Sequence, residues 1–409
     1  MKNLFYLILL FSSLLQANVI EVGVNKSIKS IKKAIALAKV GDTVLVHKGL
    51  YKEGNIVINK KIVFLGKDFP VLDGQKKYEV LSVKSDGVIV DGFKIINSGY
   101  GTLEDPCGIK VYNKSHVTIQ NNILDDNFFG IYIQNGTNCI VKNNKIKAYG
   151  KEEQRIGNGI HCWKSDSLQI TANTVSGHRD GIYFEFVTNS VIWRNISFKN
   201  VRYGLHFMFS NDDAYISNVF TNNGAGVAVM FTKRVKMFNN YFEENWGDAA
   251  YGLLLKEISD SYISGNKFIK NTSGIHMEGT NRILIEKNIF EANGWGMKIQ
   301  ASCMDNEIKN NNFVGNTFDI STNGSLVLNT FNSNYWDKYE GYDLNKNGVG
   351  DVPYHPLSLF AVLTENNPSA MLLFRSFMIT LLDKSEKILP SITPDNFVDK
   401  TPLMHSLSL

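Results

Sequence analysis

The chain has 409 residues, 44% of them hydrophobic, enough material for a large buried core. Its 43 basic and 39 acidic residues leave a net charge of only +4, and the basic residues form no stripe, which argues against nucleic acid as a partner. The four cysteines, Cys107, Cys139, Cys162 and Cys303, show no CxxC or CxxxC spacing, and nothing in the sequence selects a disulfide pair.

Lys2, the apolar run Leu4–Leu15 and the small Ala17 read as a secretory leader over residues 1–17, too short to span a bilayer. The mature chain is then expected in a bacterial periplasm or outside the cell. Ser27–Val40 place Ile28, Ile31, Ala34, Ile35 and Ala38 on one stripe with lysines opposite, which predicts a short amphipathic helix. Ahead of stacked strands such a helix would cover the open end. Gly41-Asp42 turns into Thr43–His47, and Ile56–Ile58, Ile62–Leu65 and Val88–Val90 read as first, irregular coils, so residues 18–107 form a cap and an opening. This opening resembles the start of pectate-lyase-like right-handed β-helices.

Residues 108–334 are a regular repeat. A four-residue segment returns as Gly108-Ile109-Lys110-Val111, Gly130-Ile131-Tyr132-Ile133, Gly159-Ile160-His161-Cys162 and so on to Gly296-Met297-Lys298-Ile299, with a usual step of 22 residues (108 to 130, 204 to 226). An asparagine series, Asn122 through Asn311, keeps the same step and stretches at the same places, so both belong to one coil with occasional loops. A period of this length made of short alternating strands predicts a solenoid. The fold class is all-β, a right-handed parallel β-helix, with the asparagines as a corner amide ladder.

The register assigns side chains. The first and third places after each glycine are apolar and point inward, so the second and fourth places are expected to face solvent. Cys162 fills an inward place. The second-place column is Lys110, Tyr132, His161, Tyr183, His206, Ala228, Leu254, His276 and Lys298; the fourth holds Glu185, Met208, Met230 and Glu278 among others. A polysaccharide-active β-helix needs an outward base with charge neutralisation, and these columns offer no outward Asp–Arg pair. His178-Arg179-Asp180 is the nearest candidate, at a corner where charges are usually solvated. Glycosidase chemistry needs two facing carboxylates, and Glu185 and Glu278 stand four coils apart, about 19 Å by stacking.

One patch differs. His206 and Met208 share a strand and a face, and Met230 stacks on Met208 one coil later. Two thioethers and an imidazole suit a soft ion, copper(I) above all. The other reading is a surface methionine pair against phenylalanines or a partner protein. His161 and His276 stand too far along the stack to complete the site and read as ordinary exposed side chains.

Residues 335–367 read as a clasp. Asp343, Asn345, Asn347 and Asp351 with Gly348 match places 1, 3, 5, 9 and 6 of an EF-hand loop, but Tyr354 stands where its last glutamate belongs. The segment is a candidate calcium loop or an Asx-rich turn. In the tail, residues 368–409, Ala370–Leu382 read as an apolar helix that caps the solenoid or docks on a membrane partner, and Pro390, Pro394 and Pro402 keep the rest extended.

GLHFMFSND, GVAVMF, YGLLL, NYWDKYEGYDLNKNGVGDVPY and the ending NPSAMLLFRS…DKTPLM resemble the NosD family, periplasmic maturation proteins of nitrous oxide reductase. The resemblance covers nearly the whole mature chain. It implies a part in supplying copper(I), held transiently, to the reductase's catalytic copper–sulfur cluster. It also implies work beside an ABC transporter with a membrane subunit and a lipoprotein copper chaperone, and membrane association through a partner. It favours His206, Met208 and Met230 as the copper site; His178-Arg179-Asp180-Gly181 departs from the expected more basic pair. With no ATP-binding loop and no nucleophile constellation, the chain reads as a non-enzyme. A carbohydrate-binding or polysaccharide-active β-helix is the second reading.

Overall fold

The computed structural model describes residues 17–101, 105–150, 152–247, 250–324, 328–374, 376–388 and 397–409. The leader, apart from Ala17, lies outside the described residues. Each coil contributes three short strands. Among the described residues these stack into a first sheet of 14 strands (Val19–Val22 to Leu328–Asn332), a second of 13 (Leu50–Tyr51 to Tyr335–Trp336) and a third of 12 (Ile56–Ile58 to Phe318–Ser321). The strands pair in parallel, coil on coil, in the β-helix that the repeat predicts. The common step of 22 residues widens to 29 between Asn144 and Asn173 and to 26 between Asn240 and Asn266.

The inward places are as read: Ile131, Ile133, Ile182, Phe184, Leu205, Phe207, Val227 and Val229 are all 0% exposed. Along one side of the interior Phe220, Phe242, Phe268, Phe290, Phe313 and Trp336 stack ring on ring at 4.2–5.5 Å. Each buried ring contributes roughly 1.5–3 kcal/mol by leaving water. The repeating glycine serves close approach: a Cβ at Gly204 would stand 2.7 Å from the Gly226 carbonyl oxygen and 2.9 Å from the Phe220 ring. The four cysteines are free and buried.

The asparagine ladder runs from Asn122 to Asn334. Each residue donates its backbone N–H and its side-chain Nδ2 to the Oδ1 of the next, as Asn218 does to Asn240 at 3.0 Å and 3.0 Å. A second ladder, which the sequence reading missed, runs Asn200, Asn223, Asn245, Asn271, Asn293, Asn316.

Both ends are covered. Helix α1 (Ile31–Leu37) is shorter than the stripe suggested; Ser30 caps it, and the Glu53 carboxylate accepts from the backbone of Ile31 and Lys32. It lays Ile31, Ala34 and Ile35 over the first coils. At the other end a helix not expected from the clasp segment, α2 (Leu359–Asn366), buries Phe360 and Ala361 against the last strand of the third sheet. The apolar tail is helical but broken, a 3-10 turn over Pro368–Leu373 and then α3 (Phe377–Ile388). Pro390 and Pro394 lie outside the described residues. The chain then returns: buried Asp399 accepts from Asn334 N and Nδ2 and Trp336 Nε1, which closes the first ladder with an acceptor that needs no further partner.

One interior group opposes the fold. Asp213 is 1% exposed; one oxygen accepts from Ser190 N at 2.7 Å and the other has no partner. Burial pushes its pKa up to about 8. The stability tied to its neutral form is fully present below the ordinary carboxylate pKa and is lost as pH rises to about 8. Asp213→Asn keeps the acceptor and removes the charge. It should raise the melting temperature by a few degrees at pH 8 and leave it unchanged at pH 4, read by circular dichroism melts.

Candidate functional site

The third sheet carries the two outward columns. The fourth-place residues, Met208 and Met230 among them, are half-buried. The second-place column does not face solvent as expected: Lys110, Tyr132, His206, Ala228 and Leu254 are at most 8% exposed. The cause is an aromatic row just ahead of the glycines. Phe129 packs on His161 at 5.3 Å, Tyr203 on His206 at 4.8 Å and Tyr251 on His276 at 5.1 Å, and Lys298 lies over Trp295 at 4.0 Å. His161 and His276 are therefore half-buried rather than exposed. Burial, with Arg179 next, drives the His161 imidazole down to about 3, so it is neutral. The aromatic row was visible in the sequence as Phe129, Tyr203, Tyr251 and Trp295, each one residue before its glycine.

His178-Arg179-Asp180 is no solvated corner either, since His178 and Asp180 are 0% exposed. His178 stands where the second ladder would carry an amide: its N–H donates to Asn200 Oδ1, and burial lowers its imidazole to about 4. Asp180 makes the outward Asp–Arg pair that the columns alone did not show, because it projects from the corner. Arg202 Nε lies 3.5 Å from Oδ1; His206 Nδ1 lies 3.5 Å and Arg179 Nε 4.0 Å from Oδ2. Arg202 also pairs with Glu153 at 2.9 Å, and its Nη2 stands 3.4 Å from His206 Nδ1.

The structure brings His206, Met208 and Met230 together on one face. His206 and Met208 belong to the strand Tyr203–Met208, and Met208 is the register partner of Met230. Adjacent parallel strands hold the two methionine stems about 4.8 Å apart. His206 is 4% exposed, so the imidazole is sunk beneath Tyr203 while Met208 and Met230 are half-buried. Its Nε2 is buried and has no partner. The Tyr183 hydroxyl, held up to about 12 by burial and by Glu185, donates to Met208 Sδ at 3.6 Å. Beside the methionines Phe186, Phe209 and Phe231, 44%, 39% and 36% exposed, stack at 5.2 Å in the left-handed region. They stand at the corner that follows the third-sheet strand, where Lys164 and Glu257 take the same conformation in their own coils.

The Asp/Asn loop is built as turns. Asp343 accepts from Asn347 N and Gly348 N, Asn345 from Asn347 N, Asn347 from Val349 N and Asp351 from Leu344 N. Tyr354, at the twelfth place, packs its ring against Trp336 at 5.4 Å. Each of these side-chain oxygens serves a backbone donor, and Tyr354 brings no carboxylate to the twelfth place. The loop clasps the returning terminus through Gly350 N to Pro402 O and Met404 N to Gly348 O. Chelation with EDTA should leave the melting temperature unchanged, whereas Asp343→Ala should lower stability by about 1–3 kcal/mol in denaturant melts.

Fold and face define a right-handed parallel β-helix protein with soft and imidazole donors on one sheet. A model of right-handed β-helix regions matches residues 50–175, and the model of NosD, described as a periplasmic copper-binding protein, matches residues 147–341. The NosD model spans just under half of this chain, which resembles that family as its motifs suggested, and the family is described as periplasmic. It is 29% identical over 372 residues to the Pseudomonas aeruginosa protein named "Probable ABC transporter binding protein NosD", covering 86% of each chain. A protein of the same name from Stutzerimonas stutzeri is 32% identical over 112 residues, 27% of this chain and 26% of that one. Among solved structures, the A-module of the Azotobacter vinelandii mannuronan C-5 epimerase AlgE6 covers 74% of this chain and 88% of its own at 14% identity, with a TM-score of 0.52, a likeness of fold alone.

Proposed function

We propose that this protein handles copper(I) in the maturation of nitrous oxide reductase, as a binding protein and not an enzyme. It would pass the ion toward the reductase's catalytic copper–sulfur cluster. The observation that supports this is the register of His206, Met208 and Met230 on one face, with the imidazole Nε2 buried and unpartnered. Thioethers and neutral imidazole are the donors a soft monovalent copper ion takes, and neither must shed a proton to bind. The half-buried methionines give the ion its way in and out, so binding is transient. The family description and the relatives' names support copper and an ABC transporter. A lipoprotein chaperone would deliver or take the ion at the methionine side, where Phe186, Phe209 and Phe231 offer an apolar contact.

The transporter's membrane subunit would dock on the tail. Leu372, Leu373, Phe377, Met378 and Leu381 are 49–90% exposed there. Among the described residues no helix is long and apolar enough to cross a membrane, so membrane association would come through this partner. Changing Leu372, Phe377 and Met378 to Ser should abolish co-purification with the membrane subunit and leave the melt unchanged. Retained co-purification would place docking elsewhere. Truncation from Ala370 is a poor test, because it also removes Asp399 from the ladder.

Met208→Ala with Met230→Ala should abolish copper(I) uptake in competition with a chromogenic chelator, and leave reductase without its catalytic copper, at unchanged circular dichroism. Wild-type affinity and wild-type reductase copper in the double variant would refute the site. A second reading, a carbohydrate-active face, draws on Asp180, Arg202 and Tyr203 beside His206, the kinds of group that acid–base work on a uronate uses. Binding of oligouronate that Asp180→Asn weakens, without copper uptake by the wild type, would favour it.

A further inference from the structure

We infer that Asp180 is a positioning residue that fixes the His206 tautomer, with the proton on Nδ1 and Nε2 as the atom that takes the metal. This rests on the copper reading of His206, Met208 and Met230 and names how that site is set.

A neutral imidazole carries one proton on two nitrogens. Two groups compete for Nδ1: the Asp180 Oδ2 oxygen at 3.5 Å, which can only accept, and Arg202 Nη2 at 3.4 Å, which can only donate. If Nδ1 accepts from Arg202, the proton sits on Nε2, a buried donor with nothing to receive it, and the Nδ1 lone pair faces the buried Asp180 Oδ2 oxygen. If Nδ1 carries the proton, it faces Asp180 Oδ2. Arg202 then keeps Glu153 at 2.9 Å and Asp180 Oδ1 at 3.5 Å, and the remaining open group is the Nε2 lone pair. This arrangement sets an N–H dipole against the buried carboxylate oxygen where the other sets a lone pair against it, and it leaves one group open on the ring. The one left open is what a soft cation binds.

The surroundings fit. Asp180 is 0% exposed and is held from behind, since Tyr203 N donates to its Oδ1 at 3.4 Å. Tyr203 covers the ring, and the register partner of His206 one coil on is the small, buried Ala228. A carboxylate behind a metal-bound histidine orients the ring and raises its basicity, and its loss typically costs 10–100-fold in metal affinity. Glu153 has a part as well: by engaging Arg202 it supplies the partner that lets Arg202 give up Nδ1.

The test reads tautomer and ligation separately. Nitrogen-15 spectra of histidine-labelled, metal-free wild-type protein should show the His206 proton on Nδ1. Asp180→Asn should move it to Nε2, lower copper(I) affinity by about 10–100-fold, and remove imidazole scattering from the X-ray absorption spectrum while both sulfurs remain. In an Asp180→Asn/His206→Ala double variant the two losses should not add. Arg202→Gln should keep wild-type affinity or raise it. A wild-type His206 protonated on Nε2, or an Asp180→Asn protein with wild-type affinity and imidazole scattering, overturns the assignment. Absence of sulfur scattering in the wild type overturns the copper reading instead, and the nitrogen spectrum, which needs no metal, distinguishes the two failures and still decides the tautomer if the Asp180 variant does not fold.

Discussion

Each coil of this protein turns a corner through a residue in the left-handed region, and the asparagine that follows bonds that corner to the next coil. Arg194 precedes Asn195, Ser217 precedes Asn218 and Asn239 precedes Asn240, with φ of 55°, 53° and 54°. Such a backbone costs on the order of 1–3 kcal/mol wherever the residue is not glycine. A buried amide that donates twice and accepts twice returns roughly that much, because any of those groups left unpaired in the interior would cost about 1–3 kcal/mol. Corner and ladder are therefore one device. It repeats along the stack, and it fixes the register without reference to any single side chain elsewhere.

Fixed register turns the sequence into columns, and the columns make the site. A one-residue slip would send His206, Met208 and Met230 inward and bring Leu205 and Phe207 to the surface, so the patch exists only while the ladder holds. The same stacking explains the burial of the second-place column. Rings placed one residue ahead of four of the nine repeat glycines lie over that column, so a histidine there sits beneath an aromatic rather than in water. The strand thus carries two environments two residues apart, a covered imidazole and a half-open thioether.

What could be read from the sequence is what repeats. The period, the inward places, the first amide ladder and the His206–Met208–Met230 register all follow from spacing that recurs coil after coil. What escaped is contact made once. Asp180 reaches His206 from a corner one coil away, and a column argument follows only strands. Asp399 closes the ladder 65 residues beyond Asn334, a separation that no periodicity connects. Helix α2 has an ordinary Ser358 cap, but its apolar residues follow a run that reads equally as loop, and its packing on the end of the third sheet decides its state. The solvent assignment of the second column failed for a different reason: alternation tells which side of a strand a residue takes, and does not tell what lies on that side.

The rigidity that creates the site also limits how it can act. The two methionine stems are carried by neighbouring hydrogen-bonded strands, with Phe207 and Val229 packed at 0% exposure between them and the interior. Such strands have no hinge, and shifting one would break its ladder contacts on both sides. An ion held by His206, Met208 and Met230 could not be expelled by opening the β-helix. Release would have to proceed by exchange: a partner's donor enters from the solvent side, a thioether leaves, and the imidazole, held from behind, is the last to let go. The side chains are free to carry out that sequence because methionine has three rotatable bonds, whereas the two of His206 are held by its burial. On this reading the accessible methionines and the buried histidine have different tasks, capture and exchange for the first, orientation for the second. The order of ligand loss follows from which of them the fold has covered.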